Sequence, residues 1–404
     1  MKNKKYKKPN SFYYSLFKLI SKFLSKFIFN TKIIRNELKD VKGPFVVLAN
    51  HEAAIDFINL AASLKQKCHF VISYAFYNTC GIRSILDAVK VIPKQQFQTT
   101  VTDIRKMKEV IDNNMPLVIY PVGLMSENGM SEPLPIATSK FVKMLQSDVY
   151  VCYTKGSYLT KPKWASKRRK GRITLDIYKL MSKEELAEIS NEELQKKLDE
   201  NLFYDAYQNQ EEDLVEFKGG NDIEGLEYVL YKCPKCKQEK VMINQNKDTI
   251  VCTKCGFEAK ANKYGLLENI NNEKVFFHHP SKWYQFIYDD LKNQIDKGII
   301  INLENKTIIK QLDYKKQKFV DVGSGIVKIN DEKIVLEGII NNTNIVATFS
   351  ISNYPNIPFA PKKSIDIQDG KTIYRLCFED KYDMMKFVVL LKIYHRKMME
   401  EKNN

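Results

Sequence analysis

The stretch Gly43-Pro44-Phe45-Val46-Val47-Leu48-Ala49-Asn50-His51-Glu52-Ala53-Ala54-Ile55-Asp56 decides how the chain is read. Five consecutive apolar residues, Phe45 to Ala49, β-branched at the centre and preceded by the breaker pair Gly43-Pro44, predict a strand covered on both faces. Asn50 and His51 then stand at its C-terminal end, where open α/β sheets place their chemistry. On a regular helix, side chains five residues apart diverge by about 140°. His51 and Asp56 can therefore meet only if His51 lies in the strand-to-helix turn and Asp56 in the first helical turn. In that arrangement the carboxylate takes the proton of one imidazole nitrogen and leaves the other as a general base. The bland alternative is a strand-capping histidine and an aspartate that serves the helix dipole.

Outward from this stretch, apolar runs and amphipathic segments alternate. Strands are expected at Phe45–Ala49, Phe70–Tyr74, Ala88–Ile92, Leu117–Tyr120, Val149–Tyr153 and Ile173–Tyr178, with helices at Phe57–Lys65, Thr100–Asn113 and Ile136–Gln146. Such alternation predicts an α/β fold with a mainly parallel sheet over 36–180. Tyr120-Pro121-Val122-Gly123-Leu124-Met125-Ser126 follows a strand, so its N–H groups can face a phosphate or oxyanion, or simply form a turn.

The charge is divided unevenly. Residues 1–172 hold 30 Lys+Arg against 11 Asp+Glu, whereas 173–404 hold 34 against 37. The basic half should face something anionic. Residues 1–35 carry ten basic and no acidic residues, and from Ser11 to Phe29 lysines and serines recur at helical spacing among Phe, Leu, Ile and Tyr. This predicts a basic tail and an amphipathic helix lying on an anionic membrane surface, the alternative being a helix packed on its own domain. Three lysines interrupt it as a membrane span. A second basic run, seven residues between Lys161 and Arg172 around Trp164, suits phosphate or membrane binding as well as a solvated face.

Residues 181–225 turn acidic and helical, with a capping box at Ser182–Glu185, and read as a connector. In 226–270, Cys233-x2-Cys236 and Cys252-x2-Cys255 are separated by fifteen residues, the spacing of a four-thiolate zinc ribbon. Four protein ligands leave no open position, so Zn²⁺ there is expected to be structural. The ribbon lacks a dense basic face, and nucleic acid is not an expected partner. Four further cysteines are scattered, which fits a reducing compartment better than a disulfide framework. In 271–404 an aromatic helix near Trp283 precedes alternating runs at Ile299–Leu303, Gly325–Ile329, Lys333–Leu336, Ile345–Ile351 and Thr372–Phe378, then one amphipathic helix, Lys381–Glu400. That element order is similar to a pleckstrin-homology-like barrel, with a β-sandwich as the alternative.

Asn50-His51 through Asp56 resembles the NHxxxxD signature of the lysophospholipid acyltransferases of the 1-acylglycerol-3-phosphate acyltransferase type. The turn at Pro121 to Ser126 resembles their FPEGTRS block, Val91-Ile92-Pro93-Lys94 an intermediate block that usually ends in arginine, and Val149 to Gly156 the final strand and glycine. The resemblance implies transfer of a fatty acyl group from acyl-CoA or acyl carrier protein to the hydroxyl of a lysophospholipid or related lipid acceptor. It implies His51 as base and Asp56 as its orienting partner, with Asn50, Lys94, Pro121, Gly123, Ser126 and Gly156 around the substrate. The expected location is the cytoplasmic face of a membrane, as a peripheral protein. Val122 replaces the family's glutamate, Met125 its arginine and Lys94 the second-block arginine. Those positions serve the acceptor's phosphate end, so the resemblance implies a different lysolipid or glycolipid acceptor, or a catalytically weak lipid-binding scaffold.

Overall fold

The computed structural model describes residues 7–95, 100–370 and 372–403; the first six residues of the basic tail lie outside them. The chain forms two compact units, Met1–Pro162 with Arg168–Gly220, and Lys163–Lys167 with Asn221–Asn404.

The first unit is built on a seven-stranded sheet of β1 (Thr31–Asn36), β2 (Phe45–Ala49), β3 (His69–Ser73), β4 (Ile92–Lys94), β5 (Leu117–Ile119), β6 (Asp148–Lys155) and β7 (Ile173–Met181), in the order β1-β7-β6-β2-β5-β3-β4. β6, β2, β5, β3 and β4 run parallel; β7 is antiparallel to β6 and carries β1 parallel to itself. All five residues of β2 are buried. Phe45, Val47 and Ala49 share a core with Tyr14 of helix α1 (Ser11–Phe23) and with Leu60 and Ala61 of helix α2 (Asp56–Ser63). Val46 and Leu48 point the other way, toward Met107, Val110, Val142 and Leu145. Helical cover on both faces is why this strand has no polar alternation.

Three expectations change. The strand expected at Ala88–Ile92 begins only at Ile92: a helix ends at Ala88, Lys90 turns the chain at φ 57°, and the Val91 N–H donates back to Leu86 O at 3.2 Å. A short apolar run does not by itself separate a buried helix end from a strand. β1 lies within what reads as tail and helix, because its exposed edge position leaves no alternation to detect. The acidic stretch expected as a connector packs on the sheet, with Leu186, Leu194, Leu198 and Leu202 buried in the second core. The Ser182 and Ser190 capping boxes start two of its helices, Lys183–Glu188 and Asn191–Leu202.

The second unit holds a four-stranded antiparallel sheet, β8 (Met242–Asn246), β9 (Thr249–Cys252), β10 (Glu258–Ala261) and β11 (Leu267–Asn269). After helix Pro280–Asp296 come β12 (Leu303–Asp313), β13 (Lys318–Ile329), β14 (Lys333–Ile340), β15 (Thr343–Ser350), β16 (Phe359–Ala360), β17 (Ser364–Asp369) and β18 (Thr372–Phe378), then helix Lys381–Asn403. These strands form one antiparallel sheet, a four-strand meander joined to a three-strand meander where β18 pairs with β12. The expected run at Ile299 begins only at Leu303; Ile299 and Ile300 are exposed. A single core joins Cys233, Cys252, Phe257, Trp283, Leu336, Leu376 and Phe387, so the cysteine-bearing sheet, the aromatic helix and the larger sheet fold as one body. Trp283 meets Phe257 edge-on at 5.4 Å and donates its indole N–H to Lys232 O at 2.9 Å.

Candidate active site

His51 leaves β2 in a non-helical turn, and Asp56 opens α2, its N–H bonded to Ala53 O at 3.1 Å. The turn cancels the divergence a continuous helix would impose. His51 Nδ1 lies 3.0 Å from Asp56 Oδ2, which also accepts the Ala53 N–H at 2.8 Å. The Asp56 side chain is 1% exposed and that of His51 20%. A carboxylate at Nδ1 assigns the proton to that nitrogen and leaves Nε2 as the basic lone pair. The imidazole packs against the Tyr120 ring at 4.6 Å. Burial first, and the Asp56 charge second, push the Tyr120 phenol well above its usual range.

Asn50 serves geometry. Its side chain donates to Thr154 O at 2.8 Å and accepts from Thr154 N at 2.7 Å, tying the end of β2 to β6. Glu52 is wholly buried and accepts the Tyr158 N–H at 2.9 Å. Burial, then the charge of Asp56, pushes its carboxyl up to about 8. The Tyr158 hydroxyl in turn donates to Glu127 O at 3.1 Å, in the loop that follows Pro121 to Ser126. Gly156, at φ 90°, lets Arg172 O approach; an added Cβ would stand 2.6 Å from that oxygen.

The remaining expected site residues divide. Pro121 is half-buried and Gly123 exposed, in a turn closed by Gly123 N–H to Tyr120 O at 3.0 Å. The Ser126 hydroxyl oxygen accepts the N–H groups of Asn128 and Gly129 at 3.2 and 2.8 Å, which commits it to the loop. Lys94 ends β4, three strand positions from β2. At sheet spacing that is about 14 Å, beyond contact with His51. Burial lowers the Lys94 ammonium below its usual range, partly offset by the charge of Asp103.

Sequence reading assigned no role to Glu52, Tyr120 or Tyr204. The Tyr204 hydroxyl donates to His51 O at 2.9 Å. Its backbone is clasped to Ser131, with Ser131 N–H to Tyr204 O at 2.8 Å. The available signal was compositional: Phe203, Tyr204 and Tyr207 interrupt an otherwise polar, acidic stretch.

In the second unit the sulfurs of Cys233, Cys236, Cys252 and Cys255 all lie within 4.8 Å of one another. The Cys233–Cys255 and Cys236–Cys252 pairs are 3.7 Å apart. A tetrahedron with metal–sulfur bonds near 2.3 Å has edges of about 3.8 Å, so this donor set fits Zn²⁺. Both knuckles use the same turn: Lys237 N–H returns to Cys233 O and Gly256 N–H to Cys252 O, each at 3.0 Å.

Residues 30–153 match the family model described as acyltransferase. The chain is similar to human 1-acyl-sn-glycerol-3-phosphate acyltransferase beta, 27% identical over an alignment of 157 residues that covers 36% of this chain and 55% of the relative. The chain thus spans about half the length of that curated relative. Among solved structures it is similar to the 1-acyl-sn-glycerophosphate (LPA) acyltransferase PlsC from Thermotoga maritima, at TM-score 0.42 and 16% identity, covering 49% of this chain and 78% of that one. The Ran binding domain of Nup2 from Ashbya gossypii aligns at TM-score 0.21 and 16% identity, covering 24% of this chain and 97% of that one.

Proposed function

Starting from an acyltransferase-family domain over residues 30–153, we propose that the protein moves a fatty acyl group from a thioester, acyl-CoA or acyl carrier protein, to the hydroxyl of a lysophospholipid or related lipid. The observation that carries this reading is the 3.0 Å contact between His51 Nδ1 and the buried Asp56 carboxylate. His51 Nε2 removes the acceptor's hydroxyl proton as that oxygen attacks the thioester carbonyl. Asp56 holds the ring and stabilises the imidazolium. The tetrahedral adduct collapses, the C–S bond breaks, and the thiolate takes the proton from His51. No acyl-enzyme is needed.

The acceptor differs from the family's usual one in this reading, because Val122 and Met125 cannot pair with a phosphate. The N-terminal helix anchors the protein at the cytoplasmic face of an anionic membrane. Among the described residues no helix is long and apolar enough to cross a membrane. On α1, Phe12, Leu19 and Phe23 are 72%, 66% and 56% exposed, beside Lys18 and Lys22. Cys233, Cys236, Cys252 and Cys255 would hold Zn²⁺, which would supply structural cross-linking to the second unit.

The altered Val122 and Met125 also favour a second reading, a lipid-binding scaffold with little turnover. A labelled acyl thioester offered with a panel of lysolipids to the parent chain and to His51→Ala separates the two. Transfer that collapses in the variant supports the enzyme; equal background in both sinks it.

A further inference from the structure

The acyl-transfer chemistry leaves the basic run that ends at Arg172 without a task. In the first unit this run walls a cleft of about 670 Å³, formed by segments 27–30, 168–172 and 213–216 together with Thr160. Its position follows from the sheet. β2 and β6 run parallel with Ala49 opposite Cys152, and β7 runs back along β6 with Thr174 opposite Lys155. Residues just before β7 and β1 therefore stand at the same end of the sheet as His51. Only β6 lies between β2 and β7, a separation of about 10 Å. Lys94 stands on the opposite flank.

The lining pairs cations with apolar side chains. Arg168, Arg169, Lys170 and Arg172 face two carboxylates, Asp213 and Glu216, and Asp213 is already within 3.3 Å of Lys155. Arg168, Lys170 and Arg172 are exposed, and the Arg168 guanidinium sits 5.4 Å from the Phe29 ring. Phe27, 66% exposed, and Ile28, 37% exposed, continue the apolar face of α1 into the cleft rim. Guanidinium groups beside protruding apolar side chains match the boundary between lipid phosphates and acyl chains.

We propose that this cleft holds the phosphate of a glycerophospholipid headgroup at the membrane surface, an assignment that rests on the interfacial reading of α1. Inorganic phosphate and the phosphates of coenzyme A present the same chemistry. The contiguous apolar rim favours the lipid.

The test is flotation of the full chain with phosphatidylcholine vesicles, with and without phosphatidic acid. Arg168→Gln with Arg172→Gln should weaken binding to the acidic vesicles roughly 30-fold, two basic contacts being lost. Arg105→Gln with Lys140→Gln removes equal charge from helices on the other core and should leave binding near the parent's. Equal loss in both pairs, at unchanged melting temperature, overturns the cleft. Displacement from vesicles by coenzyme A or inorganic phosphate, at matched ionic strength, overturns the lipid assignment. Transfer measured in detergent separates the two claims: turnover without cleft-dependent vesicle binding sinks the cleft alone, and cleft-dependent binding without turnover sinks only the enzyme.

Discussion

The hydroxyl of Tyr204 donates to the backbone carbonyl of His51 at 2.9 Å across 153 residues of chain. The side chain that steadies the turn after β2 thus comes from beyond the segment matched by the family model, 30–153. Tyr204 is 2% exposed and the bond is partly buried, so Tyr204→Phe takes this donor from the His51 carbonyl. We expect a stability loss of about 1–3 kcal/mol and a fall in kcat with KM unchanged, since the ring remains and only the turn loosens. Steady-state kinetics beside thermal melting measure both. A change in KM alone would argue against this positioning role.

Asp56→Asn keeps the shape of the side chain and removes its charge. By analogy with other oriented histidine bases, kcat should fall by up to about 10⁴-fold, and His51→Ala by about 10²–10⁴-fold. The two losses should not multiply in the double variant, because both residues act as one unit. Rates for the two single variants and the double variant decide it.

Glu52 makes stability depend on pH. Its carboxyl is raised from 4.5 to about 8, first by burial and then by the charge of Asp56. Between those values the folded chain holds a proton that the unfolded chain has released. Stability from this group is therefore fully present below 4.5 and lost as pH rises to about 8, at a limiting slope of about 1.4 kcal/mol per pH unit. Glu52→Gln removes that slope while keeping an acceptor for the Tyr158 N–H. Denaturation midpoints should show the variant gaining on the parent as pH rises through this window; a constant difference would contradict an ionising Glu52.

Cys233 and Cys252 are members of the continuous core of the second unit. Removing a bound zinc with a strong chelator, or making Cys236→Ser, should loosen that unit, including the sheet that starts at Leu303. Metal release followed by absorbance of a chelating dye, together with limited proteolysis, should show cleavage gathering after Asn221 while the first unit stays protected. Cleavage confined to the loops near the cysteines would show that the metal supports only its own knuckles.

Leu19 and Phe23 are 66% and 56% exposed, so replacing them with serine should leave the melting temperature alone. If α1 lies at a membrane interface, each substitution removes about 1.5–3 kcal/mol of apolar burial, roughly tenfold or more in vesicle affinity. The lysine contribution should fade with added salt and the apolar one should not. Vesicle flotation over a salt series resolves the two.

Much of this architecture is local and was legible in the residues. The apolar run Phe45–Ala49 reads as a doubly covered strand because both its faces meet helices. The cysteine spacing describes two identical turns, and a turn is a property of a few neighbouring residues. The Ser182–Glu185 box likewise caps its helix within four positions. The turn that brings Asp56 to His51 spans only the six residues from His51 to Asp56.

What the residues could not express is which distant surfaces share a burial. Strand order places β5 between β2 and β3, moving Lys94 three strands from His51 although its sequence block suggested a neighbour. The leucines of 183–202 look like those of any amphipathic helix until the face of the sheet above Val46 and Leu48 claims them. Asn50 reads as a ligand until Thr154 takes both ends of its amide. Sequence by itself determined the local elements, the candidate base and the paired cysteine turns, because hydrogen bonds and periodicity over a few residues encode them. Tertiary structure alone decided which side chains close around that base, because strand order and register are set by burying both faces of the sheet at once.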